Sequence, residues 1–269
     1  SGFASATATT VGVSYNNTGA LVNTTITAAA AGISAPINVA NNVTSVTVTG
    51  LSAQIADFVT VTGDYGFKKD ASGNLVIVGN NAGATLDVGA VIKAGVSGAT
   101  LGLLIKADQK VAFQTTGGSA SFNLGSGFAT ATATTVAVRF NNTGALVNQT
   151  LSVTTGGTTL TAAINVADGT TSVVVTSLNA QIAGFVTLSG DMGFKKDATG
   201  RLIAAGNNVS ATLDAGAVVK AGVTGATVGL IITATDKIAL QATGGTASLV
   251  LGSGFASATA TTVGVSYNN

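Results

Sequence analysis

The sequence predicts an all-β protein: tandem repeats of long antiparallel strands, bent at glycines and wrapped into one continuous, solenoid-like sheet. Three observations lead there. Apolar and polar residues alternate with period two, one long unit of sequence occurs twice and begins a third time, and helix formers are scarce.

The alternation is clear from the start. In residues 3–15 the odd positions carry Phe3, Thr7, Val11, Val13 and Tyr15, and the even ones Ala4, Ala6, Ala8 and Gly12. Successive side chains of a strand point to opposite faces, so this pattern suits a pleated surface. Residues 46–49 (VTVT) and 59–62 (VTVT) alternate likewise. Glu is absent, while Thr, Val, Ser, Gly and Asn abound, a balance that favours strands and turns. The run of alanines at 28–31 is short and meets Gly32, so no helix is predicted there.

Turns follow in order. Polar clusters stand at Asn16-Asn17-Thr18-Gly19, Ala40-Asn41-Asn42, residues 69–74 and residues 107–110, and the series restarts at Asn141-Asn142-Thr143-Gly144. They divide each copy into four legs of roughly 22 to 34 residues, against a usual strand of about 5–6. Gly79, Gly89, Gly95, Gly98 and Gly102 fall inside legs, where a glycine marks a bend or bulge. Four legs at about 4.8 Å each would advance the sheet about 19 Å per copy. The alternative is one β-sandwich per repeat, beads on a string. No proline-rich or charged linker lies near Gly125-Ser126-Gly127, which favours continuity.

The repeat sets the boundaries. Residues 1–17 read SGFASATATTVGVSYNN, residues 253–269 are identical, and residues 126–142 are a near copy, SGFATATATTVAVRFNN. Between these markers GDYGFKKDASG (63–73) matches GDMGFKKDATG (190–200), and residues 82–105 match 209–232. The units are therefore a first copy at 1–125, a second at 126–252 and the start of a third at 253–269. Identical ends imply an A-B-A alternation, so the chain is expected to be a window on a longer array.

Chemistry finds little to work with. Only 8% of residues are charged, all ten acids are Asp, and His, Cys and Trp are absent. Nucleophilic triads need His or Cys, so these schemes are out, and zinc lacks its usual ligands. A net charge of +1 does not suit nucleic acid. No apolar run approaches the roughly 18–20 residues of a membrane-spanning helix. No catalytic, cofactor-binding or metal residue is predicted, and the chain is expected not to be an enzyme. Calcium is the one ligand with candidate oxygens, from Asp87 and Asp214 in matching TLD segments and Asp108 and Asp236 in matching turns. Asp64 and Asp191, repeated identically, are read as structural. Asn16, Asn23, Asn42, Asn141, Asn148 and Asn208 begin N-x-[ST] sequons, and the favoured reading is that they form turns. Lys68, Lys69, Asp70, Lys106, Asp108 and Lys110, with Lys195, Lys196, Asp197 and Arg201, read as solvated hairpin tips. Phe3, Phe58, Phe67, Phe113 and Phe122 are expected to pack in the core, in ladders with Phe128, Phe185 and Phe194.

With its Gly66-Phe67-Lys68-Lys69 and Gly193-Phe194-Lys195-Lys196 motifs and its ATAT and VxV strands, the chain resembles giant bacterial surface and secreted proteins built from Gly/Thr/Val-rich tandem β repeats. The resemblance implies an extracellular, fibre-forming or adhesive role and supplies no site residues. The expected function is a segment of an extracellular filament, sheath or cell-surface tether, with a spacer stalk of a large adhesin as the alternative. The expected partners are neighbouring repeats of the same protein, in one giant chain or by end-to-end self-assembly.

Overall fold

The computed structural model describes residues 4–28, 31–55, 59–87, 92–124, 129–155, 157–182, 184, 186–196, 199, 201–233 and 237–268. The first copy forms β1 (Ala4–Thr7), β2 (Thr10–Asn16), β3 (Val22–Ala28), β4 (Ile33–Val39), β5 (Val43–Ile55), β6 (Val59–Lys69), β7 (Leu75–Asp87), β8 (Ile92–Ile105) and β9 (Val111–Leu124). The second forms β10 (Ala129–Ala133), β11 (Thr135–Asn141), β12 (Val147–Thr155), β13 (Thr158–Val166), β14 (Thr170–Ile182) and β15 (Val186–Lys196). It continues with β16 (Leu202–Asp214), β17 (Val219–Ile232), β18 (Ile238–Gly244) and β19 (Thr246–Leu251). The third start gives β20 (Ala256–Ala260) and β21 (Val263–Asn268). The described residues hold no α-helix, as the composition predicts.

Seventeen strands make one antiparallel sheet, and β3–β4 and β12–β13 are separate hairpins. Short strands share ladder positions. The pair β1 and β2 lies end to end along β5, from Ala4 opposite Ile55 to Asn16 opposite Val43. Next come β6, β7, β8 and β9, each antiparallel to the last. The ladder then crosses from the first copy into the second. Ala129 faces Leu124, Asn141 faces Ala112, and β10 and β11 go on to pair with β14. The order β14 to β17, then β18–β19, then β20–β21, repeats the first copy.

The four-leg reading needs correcting. In the first copy all four legs are themselves hairpins. Ala28 pairs with Ile33, Ile55 with Val59, Asp87 with Lys93 and Leu124 with Ala129, so the chain also reverses between the polar clusters, and the first of these hairpins leaves the sheet. Each copy therefore fills six ladder positions: β1–β2, β5, β6, β7, β8 and β9 in the first. Six is also even, so each copy still starts in the same direction.

The long strands bend at bulges midway. Between Val48 and Leu51 the register shifts, and Gly50 takes a left-handed φ of 58°. Its N–H donates to Asp64 Oδ1 on the next strand at 2.7 Å. The second copy repeats the device with Ser177 (φ 49°) and Asp191 Oδ1, also at 2.7 Å. This is the structural work of the matched aspartates. Register shifts also follow Gly79, whereas Gly95 and Gly102 sit in regular ladder, and Gly89 lies outside the described residues.

The buried core is aliphatic and lies between one sheet face and the β12–β13 hairpin laid across it. The phenylalanine ladders are not its basis. Phe67, Phe122 and Phe194 are 38%, 38% and 39% exposed. Phe67 follows Gly66, which is buried, and period two turns it to the opposite face. Phe113 and Phe140 face each other across β9 and β11 and are half-buried. Phe3, Phe58, Phe128 and Phe185 lie outside the described residues.

Candidate functional site

The two hairpins leave the sheet through one Asn-centred clasp. In the second copy Asn141 Nδ2 donates to the carbonyls of Ala145 (2.8 Å) and Val166 (2.7 Å), while its Oδ1 accepts from Thr143 N at 2.9 Å. One side chain thus ties the first and last residues of the excursion to the end of β11. Asn16 does the same with Ala20, Val39 and Thr18. The residues at 41 and 168 complete the turn: Asn41 Oδ1 accepts from Gly19 N, and Asp168 Oδ1 from Gly144 N. Asn16 and Asn141 are 4% and 1% exposed, so their amides are committed to turn formation and not presented as glycosylation acceptors.

Alternation then gives each hairpin an apolar underside. Along β12 and β13, Val147, Leu151, Val153, Leu160, Ala162, Ile164 and Val166 are buried, and the Thr, Ser and Asn residues between them are mostly exposed. This underside lies on β5 to β9 of the first copy, against Val76, Val78, Leu104 and Ala112. Glycines make the seat deep enough. A Cβ at Gly102 would stand 2.9 Å from Ile164 Cγ1 and 3.2 Å from Ala162 Cβ, and one at Gly66 only 2.7 Å from Val153 Cβ. Polar groups at the rim are matched. Asn165 N donates to Gln114 Oε1 at 2.8 Å, and the Ser45 and Thr155 hydroxyls meet at 2.9 Å, both buried. No buried side-chain polar atom among the described residues lacks a partner.

The same parts recur elsewhere in the chain without a partner. The β3–β4 hairpin carries Val22, Ile26, Ala28, Ile33, Ala35, Ile37 and Val39 at the matching positions. Ile26 and Ile33 are 56% and 61% exposed, whereas Leu151 and Leu160 are 4% and 5%. The second copy's face is open too. Gly229, the match of Gly102, has nothing within 4 Å of a Cβ, and Gly193, the match of Gly66, has only Val174 Cγ2 at 4.0 Å. The seat and the hairpin underside are what sequence reasoning missed. The available signal was Gly66 and Gly102 retained as Gly193 and Gly229, together with an alternating apolar set shared by residues 22–39 and 147–166.

Among the described residues the candidate calcium oxygens do not converge. Asp87 pairs with Lys93 at 3.0 Å, Asp214 with Lys220 at 2.9 Å and Asp108 with Lys110 at 3.5 Å. Asp236 and Asp197 lie outside the described residues. Among the described residues no group of three or more His, Cys, Asp or Glu could hold a metal. The backbone N–H and ammonium of Lys110 lower the Asp108 pKa, and the Lys220 ammonium, then the Gly216 N–H, lower that of Asp214. Burial raises the Tyr65 pKa. At the 69–74 tip Asp70 Oδ1 accepts from Ser72 and Asn74, both at 2.9 Å, which makes it a turn former. No helix among the described residues is long and apolar enough to cross a membrane. No protein-family model, curated protein or solved structure matches the chain.

Proposed function

We propose that the chain is a structural segment of an extracellular filament, sheath or cell-surface tether, assembled from tandem β repeats and without catalytic activity. The observation that carries this reading is the double connection between the copies. The backbone ladder runs from β9 into β10 and β11 without a break. The second copy's hairpin also roofs the first copy's sheet, with Ser45 bonded to Thr155 across 110 residues. Separated sandwiches would need the ladder to end where one copy meets the next. The extracellular part of the reading rests on composition: few charges, no cysteine, and many Thr, Ser and Asn residues. Wrapping into a solenoid-like fibre is the finer part of the proposal, supported by the even count of six ladder positions and the repeated mid-strand bulges.

Electron microscopy of the native material tests this. Six positions at about 4.8 Å give an axial advance of about 29 Å per copy and about 58 Å per pair. This replaces the 19 Å expected from four legs. A continuous fibre with that period is the expected result. Globules separated by thin connectors overturn the proposal.

A further inference from the structure

We infer that a second copy of this chain docks on the open face of the first: its β3–β4 hairpin takes a seat over β14–β18, and its β1–β2 takes the ladder position of β20–β21. The inference concerns surfaces of this chain alone and stands whether or not the protein is extracellular.

The internal interface supplies the template. Six residues of the first copy's seat have counterparts in an open groove of about 750 Å³ lined by Ile203, Ala205, Gly229, Ile231, Ala239 and Gln241. These match Val76, Val78, Gly102, Leu104, Ala112 and Gln114, all of which are buried under β12–β13. Gln241 therefore stands where Gln114 accepts a backbone N–H from the docked hairpin. Gly229 and Gly193 keep the depth that Ile164 and Val153 fill in the first copy, although nothing fills it here.

The hairpin on offer also fits one difference between the two faces. Pairing in β3–β4 ends at Ala28–Ile33, whereas the β12–β13 pairs continue past Val153–Leu160 to Thr155–Thr158. The longer hairpin reaches Gly12, where a Cβ would stand 2.8 Å from Thr155 Cγ2. The open face has Ala137 at that position, and the shorter hairpin brings no threonine to meet it.

Delivery follows from identity. A hairpin can reach this seat only if the strand leading into it lies beside β18–β19, and β20–β21 is there already. Residues 253–269 have the same sequence as 1–17. They also pair as the internal equivalent does: Asn268 faces Ala239 and Ala256 faces Leu251, just as Asn141 faces Ala112 and Ala129 faces Leu124. An incoming β1–β2 can thus form the same ladder bonds that the outgoing β20–β21 gives up. Exchange is near neutral in backbone hydrogen bonds. Burial of the hairpin, whose Ile26 and Ile33 are now 56% and 61% exposed, drives it forward.

The chain has no cysteine, so cross-linking reads the contact directly. The internal Cβ separation of 3.2 Å between positions 102 and 162 translates to positions 229 and 35 of different copies. Disulfides form at Cβ separations of about 3.5–4.5 Å, so a small local shift suffices. The 269-residue chain carrying Ala35→Cys is mixed with the same chain carrying Gly229→Cys, warmed to allow strand exchange, oxidised and weighed by mass spectrometry. The expected result is a mixed dimer at least about tenfold above that from Ala35→Cys with Leu230→Cys, a residue on the other face, a ratio equal to about 1.4 kcal/mol. No mixed dimer, or equal yields from the two mixtures, overturns the inference. So does a Gly229→Cys dimer as abundant as the mixed one. Both positions are exposed, and circular dichroism of each variant confirms that the chain folds before mixing.

Discussion

The two hairpins have nearly the same apolar underside and opposite fates. In β12–β13 the underside is the centre of the core, with Ile164 1% and Val153 0% exposed. In β3–β4 it faces solvent. Local sequence does not distinguish them, because alternation and the Asn clasp are shared. What differs is the surface beneath them: β12–β13 lies on β5 to β9, whereas β3–β4 lies on no sheet face among the described residues. A two-stranded hairpin alone is marginal in water, so β12–β13 derives its stability from its seat. Burial here belongs to a pair of surfaces from neighbouring copies.

The largest test of that contrast is a matched pair of truncations. Leu151→Ala removes a buried side chain from the seated hairpin and is expected to destabilise the fold by about 2–5 kcal/mol. Ile26→Ala, at the corresponding position of the bare hairpin, should change stability by no more than about 0.5 kcal/mol. Urea unfolding of the two variants at low protein concentration, where copies stay apart, measures both. Equal losses would mean that the bare hairpin is held by something other than a seat, and the comparison between the hairpins would fail.

A smaller effect is expected at the clasp. Asn141→Ala leaves the Ala145 and Val166 carbonyls and the Thr143 N–H without their partner in a buried site. Each unsatisfied buried group costs about 1–3 kcal/mol, reduced wherever water enters. The expected net loss is about 1–3 kcal/mol, with faster hydrogen exchange confined to β12–β13. Asn268, the third occurrence of this residue, is exposed, and Asn268→Ala should leave stability and exchange unchanged. If Asn141→Ala speeds exchange throughout the sheet, the clasp supports the ladder and not only the hairpin.

Much of this was legible in the sequence. The copies, the strand character and the turns at Asn16-Asn17-Thr18-Gly19, 69–74 and 107–110 follow from patterns a few residues long, and local chemistry decides such features. The reversals after Ile55 and Asp87 were not legible. The residues around them, such as Ile55 and Val59 or Leu86 and Ile92, read as continuing strand and lack Asn-Gly punctuation. The seat was hidden for another reason. Its contacts join residues as far apart as Ser45 and Thr155, and no local pattern encodes such a separation. At Phe67 and Phe194 the phenylalanine expectation failed on parity. Gly66 faces the hairpin, so its neighbour Phe67 cannot, and here it is the small residue that marks the core.

The smallest expected effect lies at the strand ends carrying the Asp-Lys pairs, where the two copies should not differ. Asp87–Lys93 and Asp214–Lys220 are the same ion pair in the two copies, and both are exposed. Lys220 lowers the Asp214 pKa, so its stabilising contribution is present above the ordinary carboxylate pKa and is lost as pH falls through the lowered folded value. Water and salt screen an exposed pair, which keeps that contribution small. Lys220→Ala should move the Asp214 titration, followed by carboxyl NMR, upward toward its ordinary value. It should leave the urea midpoint at neutral pH within experimental scatter, and Lys93→Ala should do the same in the first copy. A clear stability loss in one copy alone would mean that the copies differ beyond the hairpin seat. Matching behaviour would confine their difference to the one face where a neighbour is present or absent.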